Sequence, residues 1–142
     1  MLRPDVDRFS CHNLKNMDLF SKSDPFVVID VDLDHDGNWT EIARTEIIDD
    51  DLNPTWKTVH RMEYFPLKPT KMRFRVFDCD NRSSSDLAKH DLEGMVHTTL
   101  KAIVGKTAVE NTHGIVLPLH DESNDPVRPV AKTLRDNVPQ RK

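Results

Sequence analysis

Glycine is scarce, at four residues in 142, and none stands in a phosphate-cradling G-x-G-x-x-G or G-x-x-x-x-G-K pattern, which excludes the glycine-rich nucleotide loops. Cysteine is scarcer still. Cys11 and Cys79 have no metal-type spacing, and a reducing compartment leaves both as thiols. The seven histidines include no pair at i, i+4 and none beside a cysteine pair, so zinc is not indicated. No apolar run approaches the ~18 residues of a membrane span. The leading MLRPDVDRF lacks the hydrophobic middle of a secretion signal, which predicts a soluble, cytoplasmic protein. Aromatics make up 6% and the formal net charge is -4, so there is no basic stripe interleaved with stacking rings and nucleic acid is excluded as a partner. Neither G-x-S-x-G nor H-E-x-x-H occurs, and an enzyme is not expected.

What is present fits one domain. A hydrophobic content of 37% in 142 residues supports a single core, expected over residues 1–137 with 138–142 as a frayed end. Strand-like pieces bounded by polar or proline-containing turns recur, with no sustained 3.6-residue apolar stripe. The pattern predicts an all-β, eight-stranded antiparallel β-sandwich with strands at Val6–Leu14, Pro25–Leu33, Thr40–Glu46, Trp56–Phe65, Lys71–Asp78, Leu92–Leu100, Gly114–Leu119 and Arg128–Arg135. Residues 100–104, ahead of Gly105, also read as one helical turn. In Lys71–Asp78 the apolar Met72, Phe74 and Val76 alternate with Lys71, Arg73 and Arg75, so the basic residues are expected to point outward.

The stretch VIDVDLDHDGNW, residues 28–39, opens like the twelve-residue loop of a helix-loop-helix calcium site. Its twelfth position from Asp32 is Ala43, which has no carboxylate to close the coordination sphere. The residues before it alternate with period two, so a strand with its aspartates on the solvent face, followed by a hairpin turn at Asp36-Gly37, is predicted instead.

Two other segments carry aspartates at turn positions. One holds Asp18 and Asp24; the other holds Asp78, Asp80, Asp86 and Asp91. Neither alone offers the roughly 6–8 oxygens calcium takes, whereas the two together do. Aspartate is also common in loops simply as a turn former. The order of motifs favours the first explanation. Leu14-Lys-Asn-Met-Asp18-Leu-Phe-Ser-Lys-Ser-Asp24-Pro-Phe-Val-Val resembles the first calcium loop of a C2 domain, and Leu52-Asn-Pro-Thr-Trp56 resembles the second. Val76-Phe-Asp78-Cys-Asp80, continued by Asp91-Leu-Glu-Gly94, resembles the third. Phe9–Leu14, Trp39–Glu46 and Leu100–Gly105 are further similar to the first C2 domain of copines. Copines carry two C2 domains and a von Willebrand A-like domain, whereas this chain has room for one C2 domain.

The resemblance implies a C2 fold of the topology with a single strand before the first calcium loop. It also implies two or three calcium ions held by Asp18, Asp24, Asp78, Asp80 and Asp91, with Asp86 the alternative fifth ligand and the main-chain carbonyls of Met17 and Cys79 contributing. Calcium would switch the electrostatics of that end and dock it on an anionic phospholipid membrane, moving the protein there when calcium rises. Leu19, Phe20 and Leu87 are expected as membrane contacts, and Arg73 and Arg75 as a secondary site for anionic lipid. A calcium-insensitive C2 domain acting on protein partners is the alternative. VIDVDLDHDGNW reaches about one strand length, ~25 Å at 3.3 Å per residue, from Asp24. A change at Asp34 is therefore expected to leave calcium binding almost untouched.

Overall fold

Alternating apolar residues produce two antiparallel partners, Pro25–Asp32 and Lys71–Asp78, paired without interruption along all eight positions. The computed structural model describes residues 5–7, 9–14, 22–57, 59–61, 70–103, 116–121 and 133–136. Among them the strands are β1 (Asp5–Asp7), β2 (Phe9–His12), β3 (Pro25–Asp32), β4 (Thr40–Arg44), β5 (Val59–Arg61), β6 (Lys71–Asp78), β7 (Asp91–Thr99), β8 (Val116–Leu117) and β9 (Thr133–Asp136). Hydrogen bonding orders them as β4-β3-β6-β7, β2-β9-β8 and β1-β5.

The principal core lies on one side of the four-stranded sheet. Val27, Ile29 and Val31 of β3, Met72, Phe74 and Val76 of β6, and Val96 of β7 pack with Cys11, Leu14, Trp56 and Leu119. Each such side chain, fully buried, contributes about 1.5–3 kcal/mol through the area it removes from water. Trp56 also satisfies its indole N–H on the Pro25 carbonyl at 3.1 Å, so it anchors the segment before β5 to the start of β3.

Several expected boundaries shift, for local reasons. The first expected strand is two segments, β1 against β5 and β2 against β9, so the described residues hold nine strands where eight were expected. β2 stops short of Leu14 because Asn13 takes a left-handed φ of 56° and its N–H turns to the Asn53 side chain at 2.9 Å. β4 ends at Arg44 because Thr45 hooks onto β3: the Val27 N–H donates to its Oγ1 at 2.8 Å, and its own N–H donates to the Val27 carbonyl. Trp56 precedes β5 rather than opening a strand. After β7, residues 100–103 are helical, with the Ala102 N–H capped by the Thr99 hydroxyl at 3.0 Å. The expected frayed end at 138–142 lies outside the described residues.

The larger correction concerns the opposite face of β3, expected to be solvated. Every residue of β3 is buried. Phe26 and Val28 join Phe77 and Cys79 in a second apolar cluster. Asp32 is 1% exposed and caps the hairpin turn, accepting N–H groups from Asp36 at 3.2 Å and Gly37 at 2.9 Å; Gly37 itself needs its positive φ of 82°. Asp30, also 1% exposed, is held by both arginines of β6. Arg73 Nε donates to its Oδ2 at 2.9 Å. Arg75 donates Nε to Oδ2 at 2.7 Å and Nη2 to Oδ1 at 3.0 Å. The register places Asp30 opposite Arg73 and Val28 opposite Arg75, so all three meet on one face. Arg73 and Arg75 are thus no solvated row: their side chains are 18% and 19% exposed.

Removing one member of a buried ion pair strands the other, typically at a cost of ~3–5 kcal/mol. Asp30→Asn is expected to fall at or just below the low end, about 2–3 kcal/mol, because the guanidiniums keep some contact with water. Urea unfolding of the variant measures it, and a loss under about 0.5 kcal/mol would contradict the assignment.

Candidate metal centre

Strand register assembles the acidic site. Pro25 of β3 lies opposite Asp78 of β6, and Asp78 lies opposite Asp91 of β7, so three neighbouring strands begin or end at one level. The β6–β7 register runs regularly from Lys71↔Thr99 to Val76↔Gly94, then shifts to Phe77↔Leu92. That irregularity leaves Glu93 as an extra residue. Without it Asp78 would face Leu92 and Asp91 would lie past the end of β6. A bulge that re-aims a side chain beside a functional site is a known use of this device.

The carboxylate oxygens of Asp78, Asp80 and Asp91 consequently lie within 4.8 Å of one another. Asp78 is buried and Asp80 exposed. Asp24 adjoins this group through its backbone: its N–H donates to Asp78 Oδ1 at 2.9 Å, and its carbonyl accepts the Cys79 N–H at 3.0 Å. Its own Oδ1 accepts the Asp50 N–H at 2.8 Å, tying the 45–56 segment to the site. Asp50 takes a left-handed φ of 49° there. The Asp51 N–H donates to the Ser23 carbonyl and the Ile48 N–H to the Pro25 carbonyl, so this segment is a scaffold for the acidic end.

His90 sets the third loop. Its Nδ1 accepts the Asp80 N–H at 3.1 Å, and its Nε2 lies 3.0 Å from the Ser84 carbonyl oxygen. A neutral ring protonated on Nε2 satisfies both bonds, an assignment inferred from the partners. The ring stands edge-on to Phe26 at 5.4 Å. With both nitrogens engaged, His90 positions a ligand rather than being one. Two arginines brace the same loop from outside: Arg44 Nη1 donates to the Ser85 carbonyl at 2.9 Å, and Arg82 pairs with Asp49.

Asp86 and Asp91 separate clearly. Asp86 caps the short 3-10 helix at Leu87–Lys89, its Oδ1 accepting the Ala88 N–H at 3.0 Å, whereas Asp91 belongs to the acidic group. Leu87, expected at a membrane-facing tip, is half-buried against the cluster of Phe26, Val28, Phe77 and Cys79; apolar contact with that cluster turns it inward. Met17, Asp18, Leu19 and Phe20 lie outside the described residues. Sequence reasoning missed His90 and Asp50, since nothing in one sequence separates His90 from six other histidines.

The chemistry suits a hard cation. Two carboxylates ~4 Å apart repel by about 1 kcal/mol in bulk water and about 4 kcal/mol at an effective dielectric of ~20, and a divalent ion reverses that sign. Charged oxygens are the donor type of calcium and magnesium. Burial, and more weakly the carboxylates of Asp24, Asp78 and Asp80, push the Cys79 thiol above its ordinary pKa.

Comparison with known proteins bears on the fold that carries this group. Residues 4–115 match the family model of the C2 domain. Copine-B of Dictyostelium discoideum is 34% identical over 73% of this chain and 20% of its own length. BONZAI 1 of Arabidopsis thaliana is 37% identical over 65% of this chain and 15% of its own. The chain thus spans about a fifth or less of the curated relatives it matches. Among solved structures, BON1-C2B superposes with a TM-score of 0.63 at 27% identity, covering 94% of this chain and 88% of that one. The calcium-bound pair of C2 domains from Extended-Synaptotagmin 2 shares the fold, with a TM-score of 0.55 at 19% identity over 94% of this chain and 46% of that one.

Groups that hydrogen-bond to metal ligands typically tune affinity by ~10–100-fold. His90→Ala is expected to weaken calcium binding by at least about tenfold, read by calorimetric titration, with the far-ultraviolet circular dichroism unchanged. Asp91→Asn should lower calcium affinity far more than Asp86→Asn does; the reverse order would overturn the ligand assignment.

Proposed function

The chain belongs to the C2 domain family, and from that premise we propose that it is a calcium-dependent phospholipid-binding module. The observation that carries this reading is the convergence of Asp78, Asp80 and Asp91 within 4.8 Å at the end of β6 and β7. Asp18 and Asp24 complete the ligand set, with the main-chain carbonyls of Met17 and Cys79 supplying further oxygens for two or three calcium ions. Bound calcium supplies positive charge and open coordination positions for lipid phosphate or carboxylate oxygens.

The protein's own part is electrostatic and geometric. Five aspartates at one end repel an anionic bilayer, and this repulsion is what calcium removes. Asp24 is tied to the end of β6 through its N–H on Asp78 and its carbonyl on the Cys79 N–H, and His90 fixes the Asp80 backbone, so Asp78 and Asp80 are held in place. Leu19 and Phe20, between two of the ligands in the first loop, add apolar area at the interface once the surfaces meet. Leu87, in the third loop, is half-buried against the second cluster and keeps only part of its surface for such contact. The module is regulatory rather than enzymatic, and it resides in the cytoplasm, reaching membranes as calcium rises.

Sedimentation with vesicles, with and without phosphatidylserine, in calcium and in chelator, tests the reading. Binding is expected only with phosphatidylserine and calcium together; equal binding in chelator sinks it. The double variant Asp78→Asn, Asp80→Asn should lose calcium affinity by more than about 100-fold, since two charges leave the ligand set. Its fold should persist, because an asparagine Oδ1 still accepts the Asp24 N–H.

A further inference from the structure

The face of the four-stranded sheet that carries Asp30 holds an open groove of about 460 Å³, inside the ~300–1,000 Å³ range of ligand sites. Arg73 and Arg75 form one part of its lining, and Phe77, Leu87, Leu92 and Met95 form the apolar part. Arg75 lies 5.5 Å over the Phe77 ring, so the charged and apolar parts are contiguous. Arg73 lies 4.7 Å over the Trp39 ring. Both guanidiniums are therefore held in place before any occupant arrives.

Their charge is not balanced. Two guanidiniums, each always protonated, meet the single Asp30 carboxylate through three nitrogens. Among the described residues, the remaining nitrogens of Arg73 and Arg75 donate to no protein acceptor. His97, also on the groove, adds no charge, since burial and then the Arg73 charge lower its pKa. Among the described residues the outcome is one positive charge in excess, largely withdrawn from water, beside an apolar wall.

We propose that this groove docks a short acidic segment of a protein partner, with one carboxylate against Arg73 and Arg75 and an adjacent bulky apolar side chain on Phe77, Leu87 and Leu92. One carboxylate matches the residual charge, and a guanidinium fork receives it in bidentate geometry. The apolar wall needs an occupant with a body as well as a head. Membrane lipid fits less well: a bilayer surface is flat on this scale, and the guanidiniums are largely buried, whereas a protruding side chain reaches them. The proposal does not rest on calcium binding: Leu87 and Ala88 belong to the third loop, but the groove's lining includes none of the acidic group Asp78, Asp80 and Asp91.

The probe is the capped dipeptide acetyl-Glu-Phe-amide, titrated in chelator into the full isotope-labelled chain and followed by amide shifts. Shifts are expected at Arg75, Leu92 and His97, with acetyl-Gln-Phe-amide and acetyl-Glu-Ala-amide each about tenfold weaker. Arg73→Gln removes the surplus charge while leaving Asp30 both Arg75 bonds, so the sheet holds and affinity should fall about tenfold. Ala88→Glu, at an exposed position lining the groove, should block the dipeptide without touching the core. Equal binding of the glutamine peptide, or shifts confined to other surfaces, overturns the proposal. So does binding to phosphatidylserine vesicles in chelator that Arg73→Gln abolishes, because the groove would then be a lipid site. The calcium affinity of Arg73→Gln, read by calorimetric titration without lipid, should match that of the unaltered chain, which separates this test from that of the metal centre.

Discussion

One extra residue in β7 holds the acidic end together. The register of β6 with β7 slips by one at Glu93, and that slip puts Asp91 opposite Asp78 instead of beyond it. Since β3 is locked to β6 in even register over eight pairs, Asp24 then arrives at the same level. The closeness of Asp91 to Asp78 follows from the slip of β7, and the Asp24 N–H on Asp78 from the even register of β3 with β6. A uniform register would satisfy the hydrogen bonds of the ladder equally well and scatter the charges. The bulge leaves the sheet intact and changes what its end can do.

A second constraint runs through β3, which is buried on both faces. One face builds the principal core. The other must bury Asp30, and a carboxylate removed from water is tolerated only with partners on its oxygens. Arg73 and Arg75 supply them from the neighbouring strand, and Trp39 and Phe77 cover the arginines in turn. This arrangement adds little net stability compared with an apolar replacement. Its effect is positional, because it fixes two guanidiniums in a recess that flexible surface lysines would not form.

Much of this was legible in the residues. Period-two alternation located β3 and β6 to within a residue, since burial of one face leaves a direct imprint on composition. Spacing and motif order singled out Asp78, Asp80 and Asp91, whose carboxylates the structure brings within 4.8 Å of one another. Other features depend on pairings between distant segments. The split of the first strand arises because β1 and β2 find different partners, which no local pattern encodes. Asp30 and Asp32 looked solvent-facing because a polar residue on the second face of a strand reads as exposed; only the third dimension shows Arg73 and Arg75 closing over one and a turn wrapping the other. Leu87 looked like a loop tip for the same reason. The choice between Asp86 and Asp91 hinged on a cap and a bulge, both of which are local geometry rather than composition.

The bracing of the third loop has a consequence for timing. His90 holds Asp80, Arg44 holds Ser85, and Arg82 reaches Asp49, all through bonds the protein makes with itself. A loop ordered in advance gives up little entropy when an ion enters. In the third loop the ordering is complete before any ligand arrives, so folding comes first and binding second.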